Sequence, residues 1–131
     1  MKEAKYAVIY PVLDKHAKRI LGGKHVFCKY IGRGVPSIVI GSKILFYVSR
    51  SNFRIVGEGR ISKLEFLVPS EIITKYSGKL FLSRNELSEY QGNRPHDRKL
   101  LVAVLAGIRK FTTPIIRPHP VTMAGETLTQ D

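Results

Sequence analysis

Lys24 and Glu58 are the two residues whose types and settings suit acid–base chemistry. Lys24 directly follows Gly22-Gly23, and Glu58 stands between Gly57 and Gly59, where no bulky neighbour shields it. A carboxylate that takes a proton and a lysine that positions a substrate are components of general acid–base catalysis. They work together only if the strands that carry them face one cleft; apart, each is an ordinary ion-pair partner. Other reactive side chains are sparse. Cys28, the single cysteine, lies between Phe27 and Lys29 in strand register and reads as a small core residue. His16, His25, His96 and His119 are scattered, and no HxxxH or CxxC spacing gathers metal ligands. The GxGxxG and Walker phosphate loops and the GxSxG elbow are absent. No cofactor and no metal are expected.

Charge carries more information. The 131 residues hold 22 Lys and Arg against 10 Asp and Glu, a formal net charge of +12. Such an excess suits a polyanionic partner. It is also unevenly spread. Between Lys15 and Val56 there is no acid, while Lys15, Lys18, Arg19, Lys24, Lys29, Arg33, Lys43, Arg50 and Arg54 are basic. Between Arg98 and Gly125 there is again none, against Arg98, Lys99, Arg109, Lys110 and Arg117. If the two blocks meet in space they make one basic face, which a phosphate backbone would neutralise with salt-sensitive affinity. Aromatic rings are interleaved with these bases: Phe27 and Tyr30 beside Lys29, Phe46 and Tyr47 before Arg50, Phe53 beside Arg54. Cations alternating with rings suit single-stranded or flipped bases. Strand alternation sends only about half of such rings to any one face.

The elements that position these residues follow from pattern and punctuation. Residues 4–10 read as a strand ended by Pro11. Asp14 offers a cap to a helix over 15–21, with Ala17, Ile20 and Leu21 on one stripe, stopped by Gly22-Gly23. Residues 24–31 form a second strand. Two apolar runs within 37–49 are split at Gly41-Ser42, and 54–67 is a strand whose glycines mark a bulge or a close approach. A helix from Pro69-Ser70-Glu71 ends at Gly78, and Ser83 with Glu86 has capping-box spacing for a helix through Tyr90. Residues 100–108 make an apolar strand. Residues 111–121, with three prolines, make an edge strand or extended segment, and the polar end is expected to fray. The expectation is a single domain over 1–122 with a polar tail over 123–131. It is of the α+β, mainly β class: a small, partly closed barrel with short helices at its rim. The opening residues read as a strand and not as a signal peptide. No apolar run approaches a membrane span, and one cysteine suits a reducing, cytoplasmic setting.

Residues 43–66, KILFYVSRSNFRIVGEGRISKLEF, resemble the central signature of the PUA-like superfamily. Its EVE and ASCH branches carry Gly-Asp before an apolar strand that ends in Ser, then an apolar pair and Gly-x-Gly/Ala. Gly41, Ile44 to Tyr47, Ser49 and Ile55-Val56-Gly57 stand at those places, with Ser42 in place of the Asp. Residues 19–29 resemble the ASCH opening motif, a helix then Gly-x-Lys-x-x-Glu-x-Arg: Gly22 and Lys24 match, while Phe27 and Lys29 replace the Glu and Arg. Residues 109–121 are similar to the closing strand of these domains. The whole looks like a small uncharacterised archaeal family of this superfamily. The resemblance implies a pseudo-barrel of five or six strands with two or three short helices, and a cleft between barrel and first helix. In relatives that cleft binds RNA or a modified base. Some ASCH proteins are amidohydrolases acting on a modified cytidine through a lysine, a hydroxyl or acid, and a glutamate. Lys24 and Glu58 stand for the first and last, and Phe27 supplies no hydroxyl for the second.

The leading expectation is therefore an RNA-binding module, with tRNA or rRNA as partner. Its contact set is Arg19, Gly22, Lys24, Lys29, Tyr30, Arg33, Ser49, Arg50, Phe53 and Arg54, with Tyr30 or Phe53 stacking on a base. An enzyme on a modified nucleoside, using Lys24 and Glu58, is the second reading, and a subunit of a ribonucleoprotein complex is the third. Monomer and dimer are both open.

Overall fold

The computed structural model describes residues 6–31, 40–48, 54–116 and 126–129. They form six strands and three helices in the order β1 (Tyr6–Val12), α1 (Asp14–Leu21), β2 (Val26–Lys29), β3 (Lys43–Val48), β4 (Arg54–Leu67), α2 (Pro69–Tyr76), α3 (Arg84–Gln91), β5 (Leu100–Ile116) and β6 (Glu126–Thr129). The strands make one sheet in the order β2-β5-β4-β3-β1-β6, parallel only between β1 and β3. This is the mainly β architecture with short helices that the pattern predicts. No helix among the described residues is long and apolar enough to cross a membrane.

Alternation divides the side chains between two faces. Val8, Tyr10, Ile44, Phe46, Ile61 and Val102 join the main core, where Ile20 of α1, Ile72 of α2 and Leu87 of α3 cover them. Ile9, Tyr47 and Ile55 form a smaller cluster with Leu45 and Phe111. Gly57 sets the seat of α1. A Cβ there would lie 2.5 Å from a Leu21 methyl and 2.7 Å from the Arg109 carbonyl oxygen, so the helix end and the neighbouring strand approach as the glycine predicts. At Gly59 a Cβ would meet Leu105 at an ordinary 3.5 Å.

Three expectations are corrected. Pro11 does not end β1, which runs on to Val12 beside Val48. β6 pairs only with Tyr6 to Ile9, so at Pro11 the missing N–H breaks no second described ladder. The two predicted strands after residue 100 are one strand. β4 offers a partner along the whole of β5, and register shifts absorb the misfit. Gly107, at φ +58°, supplies the extra residue between Ala106 and Arg109 opposite Arg60 and Glu58. The polar end is not frayed throughout: Glu126 to Thr129 pair antiparallel with Ile9 to Tyr6. Two threonines and a leucine suffice where β1 presents an open edge.

Candidate functional site: a cation-rimmed cavity at the end of the first helix

Gly22 caps α1, and Gly23, at φ +120°, turns the chain so that the Lys24 amide still reaches the Arg19 carbonyl at 2.9 Å. This turn delivers Lys24 to the mouth of β2. Its ammonium donates to the Gly78 carbonyl at 2.6 Å, just past the end of α2. A cavity of about 340 Å³ lies here. Its floor is apolar, with Ile72, Tyr76, Leu80 and Phe81, and its rim carries Arg19, Lys24, Ser77, Ser83 and Arg84. Among the described residues no carboxylate lines it.

The three cations differ in availability. Arg19 is committed: it donates to the Phe81 carbonyl at 3.3 Å and to the Glu86 carboxylate. Glu86 also accepts the Ser83 amide at 2.8 Å, completing the capping box with the Ser83 hydroxyl, and sits 3.0 Å from the Lys15 ammonium and 3.5 Å from His16. The Ser83 amide and the Arg19 guanidinium hold the Glu86 carboxyl far below the usual carboxylate range. Burial pulls His16 down, against the opposing pull of Glu86. Lys24 has a neutral carbonyl as its partner. Arg84 is exposed and has no hydrogen-bond or ion-pair partner among the described residues.

Glu58 belongs to another place. Its carboxylate lies 3.6 Å from the Lys43 ammonium and 3.4 Å from Arg109, whose guanidinium stands 5.2 Å from the Phe111 ring centroid. β5 separates β2 from β4, so the strands behind Lys24 and Glu58 are not neighbours. The expected Lys24–Glu58 pairing is not made: Lys24 donates to Gly78, Glu58 lies against Lys43 and Arg109, and Glu58 does not line the cavity at Lys24. The physical reason is strand order, which gives Glu58 its neighbours from β3 and β5.

The other expected contact residues are spread out. Gly22 serves as the helix cap, and a Cβ there would press on the Lys18 carbonyl at 3.0 Å. Lys29 is half-buried, its ammonium 5.1 Å from the Tyr10 ring centroid, and burial lowers its pKa. Tyr30 is corrected as a base-stacking ring: it is only 6% exposed, packed on Tyr90 at 5.1 Å with the Arg94 and Arg98 guanidiniums 4.5 and 5.1 Å from its centroid. Arg54 is exposed at the start of β4, opposite Val48 and Ile116. Arg33, Ser49, Arg50 and Phe53 lie outside the described residues. The two basic blocks do touch, at Lys43 and Arg109 through Glu58 and at Tyr30 through Arg98. Sequence reasoning put none of Arg84, Tyr76, Arg94 and Arg98 in a contact set, although Arg98 opens the second basic block. Only the spacing of Tyr90, Arg94 and Arg98, each four apart, hints at a shared cluster, and a helical reading fails across Pro95.

Comparison with known proteins places the fold. An ASCH protein from Zymomonas mobilis superposes with a TM-score of 0.71 at 19% identity, covering 84% of this chain and 73% of that one. The N-terminal domain of Staphylothermus marinus McrB matches with a TM-score of 0.50 at 15% identity, over 88% of this chain and 81% of that one. The chain thus has the ASCH-like, PUA-like pseudo-barrel fold. The uncharacterized protein MJECS03 of Methanocaldococcus jannaschii is 28% identical over 98 residues, 68% of this chain and 91% of its own length. The family described as Domain of unknown function (DUF365) matches residues 5–130, and the chain belongs to that family.

Proposed function

We propose that this protein is an RNA-binding module of the PUA-like type, and that the cavity between the end of α1, the mouth of β2 and the α2–α3 connection is where RNA docks. The observation that carries the reading is the rim: Lys24 and Arg84 bring charge that no lining carboxylate cancels, over an apolar floor with two rings, Tyr76 and Phe81. Phosphates would meet the rim cations, and an unstacked or modified base would enter over the floor. The net charge of +12 gives the long-range attraction. The ASCH-like fold supports the same reading. The Lys24 and Glu58 placement lends no support to acid–base catalysis by that pair.

The test is capture of total cellular RNA and of DNA across a salt series, with the bound RNA eluted and sequenced. The expected result is salt-sensitive capture of a defined RNA class. The double variant Lys24→Glu, Arg84→Glu should weaken binding about a hundredfold and flatten the log–log salt slope by about 1.4, as the loss of two phosphate contacts on a single strand predicts. Unchanged binding by a folded double variant overturns the reading.

A further inference from the structure

We propose that Arg94 and Arg98, both held against the Tyr30 ring, form a second anion site that takes a phosphate group. Their guanidinium carbons lie 4.5 and 5.1 Å from one ring centroid, so they are within about 10 Å of each other. Two guanidiniums can bridge one phosphate at any separation up to roughly 8–9 Å, given charge-assisted contacts of about 2.8 Å. Both arginines are exposed and so open to a ligand. Each is anchored by a neutral carbonyl: Arg94 donates to Tyr90 at 2.6 Å and Arg98 to Ile31 at 3.3 Å. Among the described residues neither pairs with a carboxylate, although Asp97 lies between them in the chain. Like charges gathered on one ring without a counter-ion favour an external anion.

What lies beneath is rich in donors. Tyr30 and Tyr10 are 6% and 1% exposed, and both hydroxyls are buried without a hydrogen-bond partner among the described residues. Burial raises Tyr10, Tyr30 and Tyr90, so all three stay protonated at neutral pH. Two exposed guanidiniums with no carboxylate in contact among the described residues select a phosphate over a cation or a neutral ligand. The site lies apart from the cavity at Lys24 and does not need the RNA reading, since free phosphate would serve it.

The test follows arginine side-chain Nε–H signals by NMR while sodium phosphate is titrated at constant ionic strength. Saturable shifts confined to Arg94 and Arg98 are expected, with affinity about tenfold weaker in Arg98→Gln and unchanged in Lys110→Gln, which removes the same charge elsewhere. A second arm compares 5′-phosphorylated and 5′-hydroxyl RNA of one sequence. Tighter binding of the phosphorylated form, lost in Arg98→Gln, identifies a terminal phosphate. Equal binding of both forms, weakened alike by Arg98→Gln, identifies a backbone phosphate. Absence of saturation by phosphate, together with RNA binding that Arg98→Gln leaves intact, overturns the site while the RNA reading stands. Phosphate saturation without RNA binding does the reverse.

Discussion

The two ends of α3 handle positive charge in opposite ways. At the N-terminal end, Glu86 gathers Lys15, His16 and Arg19 of α1 and closes its own capping box, so three basic side chains become a clamp between helices. At the C-terminal end, Arg94 and Arg98 close over Tyr30 and Tyr90 and meet carbonyls and rings alone. Arg94 caps the last turn, where a cation suits the helix dipole. Both ends belong to a strongly basic chain, yet only the second leaves its charge unspent. Net charge therefore overstates what a ligand can reach: a cation consumed by an internal carboxylate holds the fold, and a cation held by a carbonyl still attracts.

The largest way to test this contrast is pH. Burial pushes the Tyr10 hydroxyl up to about 12 and raises Tyr30 and Tyr90 as well. A raised folded pKa stabilises below the unfolded value near 10 and is lost as pH climbs through the folded one. The tyrosine end should thus lose about 2–3 kcal/mol through Tyr10 alone between pH 10 and 12, read as tyrosinate absorbance rising with unfolding. The Glu86 end fails in acid. Its depressed pKa, and that of His16, give stability that is full above the unfolded values and falls as pH drops, first below about 6.5 for His16 and then below about 4.3 for Glu86. Glu86→Gln should cost about 2 kcal/mol in urea unfolding, from the loss of charge at the cap hydrogen bond and the uncompensated cations, and should blunt the acid limb. Tyr30→Phe should stabilise by about 1 kcal/mol, since it removes a buried hydroxyl that finds no partner. Arg98→Gln should shift stability by less than about 0.5 kcal/mol, the lost ring contact offsetting relief of repulsion. A large loss on Arg98→Gln would make the two ends alike and break the contrast.

What the sequence revealed was local. The Gly22-Gly23 stop, the Ser83–Glu86 box and the tight approach at Gly57 are written in a few adjacent residues, and the structure places each as read. The placement of Lys24 against Glu58 was not legible, because which strands neighbour each other is decided by the whole sheet. Residues 100–108 and 111–121 read as two strands because a single strand gives no sign that β4 will pair along its full length and absorb Gly107 and Pro114 as irregularities. Arg94 and Arg98 sat in plain view as a basic loop, but the ring that assembles them is Tyr30, far away in sequence. Tyr30 was read as a ring open to bases for the same reason: its coverings come from elsewhere in the chain.

The pairing of β1 has a consequence for how the molecule assembles. Tyr6 finds its partner in Thr129, and the same strand takes β3 on its other side. Contacts between such distant segments must overcome the entropy of closing nearly the whole chain, which makes folding slow compared with helical proteins of this size. The β3–β4–β5 ribbon, joined antiparallel, can form early. β1 can dock on it next, but its outer edge stays open until residues 126–129 leave the ribosome. A nascent chain would therefore carry an unpaired strand edge through most of its synthesis, the interval in which edge-to-edge aggregation is hardest to avoid.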